Sequence, residues 1–143
     1  MKQFSVLIID DSEEDRYLLK RQLQEINLTD TIHEADDGKT ALDFLCAYDE
    51  NLQRFPDRFP PLLIFLDINM PVVNGFDFLE AFSKLRKQQE LRSTILMMFT
   101  SSDQEDDRKK SFSYEFVKGF IVKMPPTAKE LLENIQAACP HLF

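Results

Sequence analysis

Short apolar runs that lack the alternation of a half-exposed strand constrain this chain most. "FSVLII" (residues 4–9), "LLIFL" (62–66), "TILMMF" (94–99) and "GFIV" (119–122) each read as a strand covered on both faces, and "TIHEA" (31–35) as a further short one. Helix-length segments lie between them. In residues 12–26, Ser12 can cap a helix with Asp15 three positions on, and Leu19, Leu23 and Ile26 share a face. Asp37 and Gly38 turn the chain into a helix carrying Ala41, Leu42 and Leu45. Residues 76–89 place Phe78, Leu79, Phe82 and Leu85 on one side, and residues 127–139 place Leu131, Leu132, Ile135 and Ala138 inward. Five strands alternating with five helices predict a parallel sheet covered on both faces, an open α/β sandwich built by right-handed crossovers.

Two segments break the rhythm. Residues 48–61 hold three of the seven prolines and neither period; they read as a long surface loop with room for one helical turn at its start. Residues 103–117 should form a helix, but Asp103 to Ser111 includes no apolar residue, so burial holds its first half only weakly.

The 143 residues suit one domain, and a 43% hydrophobic content with 13 Phe can fill its core. A net charge of −8 argues against a nonspecific nucleic-acid binder. No apolar run approaches the roughly 20 residues of a membrane helix. The N-terminus turns acidic directly after a short apolar stretch, so no signal peptide is expected and the expected location is cytoplasmic. Cys46 and Cys139 lie far apart and read as reduced thiols, buried or half-buried; the isolated His33 and His141 complete no zinc spacing.

In open parallel sheets ligands bind beyond the carboxyl ends of the strands. Four strand ends here deliver polar residues to that edge: Asp10 and Asp11 after the first, Asp67 after the third, Thr100 after the fourth and Lys123 after the fifth. Each alone is an ordinary turn or capping residue; all four together point to a site. Three carboxylates at close quarters need protons or a cation, and an oxygen-only donor set suits Mg²⁺. Three carboxylates, Mg²⁺ and one lysine are nearly balanced in charge. A phosphoryl group on one carboxylate adds negative charge that Thr100 and backbone N–H groups can stabilise.

"LIIDDS", "FLDINMPVVNG", "MMFTSS" and "FIVK" stand in the order and spacing of one family. Over nearly its whole length the chain resembles the receiver domains of two-component response regulators, of the stand-alone chemotaxis-regulator type. The resemblance implies a flavodoxin-like, doubly wound (βα)5 fold with strand order 2-1-3-4-5. It implies Asp67 as phosphoacceptor, attacking a phosphohistidine on a sensor histidine kinase or histidine phosphotransfer protein. It implies Mg²⁺ held by Asp10, Asp11, Asp67 and the Asn69 carbonyl, with Thr100 and Lys123 on the phosphoryl oxygens. Thr100 and Phe120 are the implied switch residues; Asn69 and Ser102 flank the site. The implied role is a phosphoreceiver without an output domain, residues 1–143 forming one domain. It would relay the phosphate or bind an unidentified protein target, with neither DNA nor membrane as partner.

Two positions depart from the family pattern. Proline usually follows the lysine directly, often through a cis bond, whereas "KMPP" inserts Met124; either a trans bond with a reshaped loop or a strained cis bond is expected there. Glu115 stands where a glycine commonly ends the preceding helix in a left-handed turn, so an irregular or shifted helix end is expected. Three rival functions fit less well. The intact set of Asp10, Asp11, Asp67, Thr100 and Lys123 argues against a phosphorylation-independent adaptor. Asn69, where a phosphohydrolase would need an acid–base carboxylate, argues against turnover of external substrates. Gly38, Gly75 and Gly119 are the only glycines, too few for a phosphate-cradling flavin loop.

Overall fold

The apolar runs become the strands β1 (Lys2–Ile9), β2 (Thr29–Ala35), β3 (Leu63–Leu66), β4 (Ile95–Thr100) and β5 (Val117–Val122) of a computed structural model that describes residues 2–70, 73–123 and 127–140. All pairings are parallel, in the order β2-β1-β3-β4-β5 that the resemblance implied. Strand period two divides the apolar residues between two cores. Leu7, Ile9, Ile64, Leu66, Leu96 and Met98 face one side, and Val6, Ile8, Leu63, Phe65, Met97 and Phe99 face the other.

Helices α1 (Glu13–Glu25) and α6 (Ala128–Ala138) cover the second core with Leu19, Leu23, Leu131 and Ile135. Leu132 is only half-buried; Cys139, with no exposure, fills the core instead. Helices α2 (Gly38–Cys46) and α4 (Gly75–Gln88) cover the first core with Ala41, Leu45, Phe78 and Phe82. Ser12, Asp37, Asn74 and Thr127 each accept a backbone N–H at a helix start, and Asn74 with Asp77 completes a capping box. Asn27, at φ 55°, ends α1 in a left-handed turn: its N–H donates to the Gln24 carbonyl, and that of Leu28 to the Leu23 carbonyl. Both cysteines are free, and Cys46 is exposed rather than buried because it closes α2 on the outward side.

The segment expected to be a long surface loop with one helical turn at its start opens on a longer helix and continues without helix or strand through residues 55–61. It forms a sixth helix, α3 (Tyr48–Arg54), seven residues long. Its prolines all follow the helix, so they did not prevent it. Buried Asn51 donates from Nδ2 to the Phe44 carbonyl at 2.6 Å, and Phe59 is buried among Phe44 and Tyr48, with ring centroids 5.5 and 5.3 Å away. Arg58 pairs at 2.6 Å with Asp30 of β2, which lowers the Asp30 carboxyl to about 2 through the guanidinium hydrogen bond.

His33 on β2 lies within this aromatic group, 4.9 Å from Phe44 and 4.8 Å from Phe55, and its Nε2 is buried without a hydrogen-bond partner among the described residues. Burial first, then the positive charge of Arg54, lowers its pKa below 6.5. The unfolded chain therefore takes up this proton at higher pH than the folded one. The stability due to neutral His33 is complete above about pH 6.5 and is lost as pH falls through the lowered folded value. We expect the melting temperature to drop between about pH 7 and pH 5, and to drop less in His33→Phe. Equal drops in thermal melts of the two proteins would refute this.

Helix α5 (Glu105–Phe112) buries only Ser111. It ends at Ser113 in a right-handed conformation; Asn27 is the only non-glycine residue at positive φ among those described, so Glu115 avoids the left-handed turn.

Candidate functional site

Backbone pairing continues one residue beyond three strands and so sets the positions of the polar residues. The Asp10 N–H donates to the Ala35 carbonyl at 3.1 Å, the Asp67 N–H to that of Ile9 at 3.1 Å, and the Lys123 N–H to that of Thr100 at 2.7 Å. Asp10 and Asp67 therefore stand side by side on adjacent strands. With Asp11 they bring three carboxylate oxygens within 4.8 Å of one another, Asp10 and Asp67 buried and Asp11 exposed. Two buried carboxylates that close repel by about 3 kcal/mol at an effective dielectric near 20.

Lys123 answers part of this charge. Its Nζ donates to Asp10 Oδ2 and to Asp15 Oδ2, the latter at 3.0 Å, and lies 3.5 Å from Asp67 Oδ2. Burial raises the Asp10 pKa, aided by the field of Asp67 and opposed by hydrogen bonds from Lys123 and the Ser12 N–H. Burial disfavours the Lys123 ammonium, but the hydrogen bond to Asp10 and the charges of Asp67 and Asp10 outweigh it, so its pKa is raised. The remaining negative charge and the all-oxygen donors form a set that suits a hard divalent cation.

The loop after β3 holds the third carboxylate in place. Asn69 donates its N–H to Asp67 Oδ1 at 3.3 Å, and Gly75 donates its N–H to the Ile68 carbonyl at 2.8 Å. A Cβ on Gly75 would lie 2.5 Å from the Asp67 carbonyl oxygen and 2.7 Å from Ile68 Cα. Only glycine lets the start of α4 come this near the residue that carries the carboxylate.

Thr100 is fully buried and ends β4; its Oγ1 accepts the Ser102 N–H at 3.3 Å. Ser102 Oγ donates to Asp107 Oδ2 at 2.5 Å, which ties this edge to α5. Phe120 is half-buried against the first core, and the Arg108 guanidinium lies 5.7 Å above its ring and 5.2 Å from that of Phe112. Asp10, Asp11, Asp67 and Lys123 thus come together directly, Thr100 through the Lys123 backbone and Asn69 through its N–H. The expectation for the Lys123–Met124 peptide falls on residues outside those described.

Three residues at this edge were missed in the sequence. Arg16 donates from its guanidinium to the Asp10 carbonyl at 2.6 Å; Gly75 and Asp15 are the others. Asp15 was read only as a partner in a capping box. Its N–H does donate to Ser12 Oγ at 3.2 Å, but its carboxylate turns to Lys123, and the Ser12 N–H is taken by Asp10 Oδ1 at 2.9 Å. The available signal was spacing: a first-turn side chain leans back toward the strand end that precedes it.

The arrangement places a buried carboxylate beside two further carboxylates that could hold a cation and beside an ammonium. Such a site can accept an electrophilic phosphoryl group and hold its charge.

Comparison with known proteins gives the same direction. The family described as "Response regulator receiver domain" matches residues 6–136. The chemotaxis protein CheY of Pseudomonas aeruginosa is 32% identical over 131 residues, covering 92% of this chain and 92% of that protein. A two-component response regulator of Cytophaga hutchinsonii superposes with a TM-score of 0.79 at 25% identity, covering 98% and 99% of the two chains. The chemotaxis response regulator CheY4 of Vibrio cholerae gives 0.73 at 26% identity, covering 96% and 99%.

Proposed function

The chain belongs to the response regulator receiver domain family, and we propose that Asp67 is its phosphoacceptor. The single observation that carries this reading is the cluster of Asp10, Asp11 and Asp67 against Lys123 at the carboxyl edge of the sheet. A carboxylate oxygen of Asp67 bonds to the phosphorus of a phosphohistidine on a sensor histidine kinase or phosphotransfer protein. The phosphorus–nitrogen bond breaks, and the imidazole leaves with the electron pair and takes a proton from solvent. Asp10, Asp11 and Asp67, with the Asn69 carbonyl, would hold Mg²⁺, which would supply positive charge for the phosphoryl oxygens.

Lys123 and the Thr100 hydroxyl bind those oxygens and hold the group in line. When Thr100 moves toward the phosphoryl group, the space it leaves takes the Phe120 ring, which must give up its stacking on Arg108. Phe120 has no hydroxyl, so the switch rests on packing alone, and it alters the surface of α5, β5 and α6 that a protein target reads. The chain acts as a cytoplasmic signalling phosphoreceiver. It turns over no external substrate, since Asn69 supplies no proton-transfer group two residues after Asp67.

Intact-protein mass after incubation with acetyl phosphate tests this. The expected result is a Mg²⁺-dependent phosphoryl adduct that is absent from Asp67→Ala. Folded wild-type protein that forms no adduct, or an adduct that survives in the variant, would contradict it.

A further inference from the structure

Lys123 is shared among three carboxylates, and its contact with the phosphoacceptor is the loosest. Its ammonium hydrogen-bonds to Asp10 and to Asp15, whereas Asp67 Oδ2 stands 3.5 Å away. Asp15 is outside the group that can surround a cation, because Lys123 intervenes between it and Asp67. The site therefore holds four carboxylates against one ammonium, leaving three negative charges uncompensated. The nearby Arg16 reaches the Asp10 carbonyl and Glu34 rather than any of the four carboxylates.

We propose that Asp15 is a positioning residue that holds Lys123 in the unphosphorylated protein and competes with the phosphoryl group for it. The proposal rests on the reading of Asp67 as phosphoacceptor. An ammonium has three donors, and two are committed to Asp10 and Asp15. A phosphoryl oxygen on Asp67 can take the third donor, but its charge draws Nζ from 3.5 Å toward position 67 and away from its present partners, so one of those bonds lengthens.

Exposure decides which. The Asp10 side chain is 3% exposed and has no water to turn to, so it stays beside Nζ whether or not a cation also binds it. That of Asp15 is 38% exposed and returns to water. Asp15 is therefore the partner that lets go, and its hold sets a threshold that phosphorylation must overcome. Its charge also repels the incoming group.

The test uses beryllofluoride, a non-covalent stand-in for the phosphoryl group, titrated by ¹⁹F NMR at saturating Mg²⁺. Asp15→Asn keeps the shape and removes the charge. Its expected affinity is about two- to fivefold tighter than wild type, the range for a half-exposed ion pair. Asp15→Glu, which keeps the charge, returns it toward the wild-type value. In Mg²⁺-free protein the Lys123 Nζ resonance shifts in Asp15→Asn before any ligand is added. Asp15→Asn binding no tighter than wild type overturns the proposal, and so does a changed melting temperature with unchanged affinity. Wild-type protein that binds no beryllofluoride overturns both this proposal and the reading of Asp67 on which it stands.

Discussion

Gly75→Ala should slow phosphoryl uptake by on the order of 10²-fold, although position 75 carries no side chain that touches the site. The added Cβ meets the Asp67 carbonyl oxygen at 2.5 Å and Ile68 Cα at 2.7 Å. Both are backbone atoms and neither can rotate aside. To reach ordinary contact, the loop carrying Asp67 must move by roughly an ångström away from the start of α4, a displacement large enough to spoil a positioned reaction. The overpacking also lowers stability by about 1–3 kcal/mol. The initial rate of adduct formation from acetyl phosphate, with melting followed in parallel, checks this. A variant that is destabilised yet phosphorylates at the wild-type rate would show that the close approach serves packing only.

The second large effect is in the core. Phe82 has no exposure; its ring stacks on Phe78 at 5.8 Å and meets the edge of Phe116 at 5.1 Å. It joins α4 to the segment that leads into β5. Phe82→Ala removes that contact and leaves a cavity that closely packed neighbours cannot fill, at a cost of about 3–5 kcal/mol. For a chain of this length the melting temperature should fall by on the order of 10 °C. Urea unfolding should show a lower midpoint with an unchanged slope. A loss below about 1 kcal/mol would mean that the first core collapses around the missing ring.

The legible parts of this molecule are those where sequence period and burial agree. β3, with four fully buried residues, could only be a covered strand, and Asp67 after it could only lie at the carboxyl edge. The same logic placed Asp10, Thr100 and Lys123, because one strand end determines each. The full length of α3 was not legible because its buried residue is Asn51, a polar side chain that leaves no hydrophobic period; its aromatic contact is that of Tyr48 on Phe59. Asp15 and Gly75 were overlooked as site residues for a related reason. Each acts across the edge, on Lys123 and on the Asp67 backbone, and such contacts exist only once the strands are side by side. Glu115 departs from its family's glycine without strain because α5 closes in a right-handed turn at Ser113.

The proposed function depends on Asp67 carrying the phosphoryl group, and chemical trapping reads that residue directly. Borohydride reduces an aspartyl phosphate to homoserine, which peptide mass spectrometry can assign to a position. After treatment with acetyl phosphate and Mg²⁺, homoserine is expected at position 67, with Asp10, Asp11 and Asp15 unmodified. Homoserine at one of those positions instead, or an adduct that resists borohydride, would contradict the assignment of Asp67 as nucleophile.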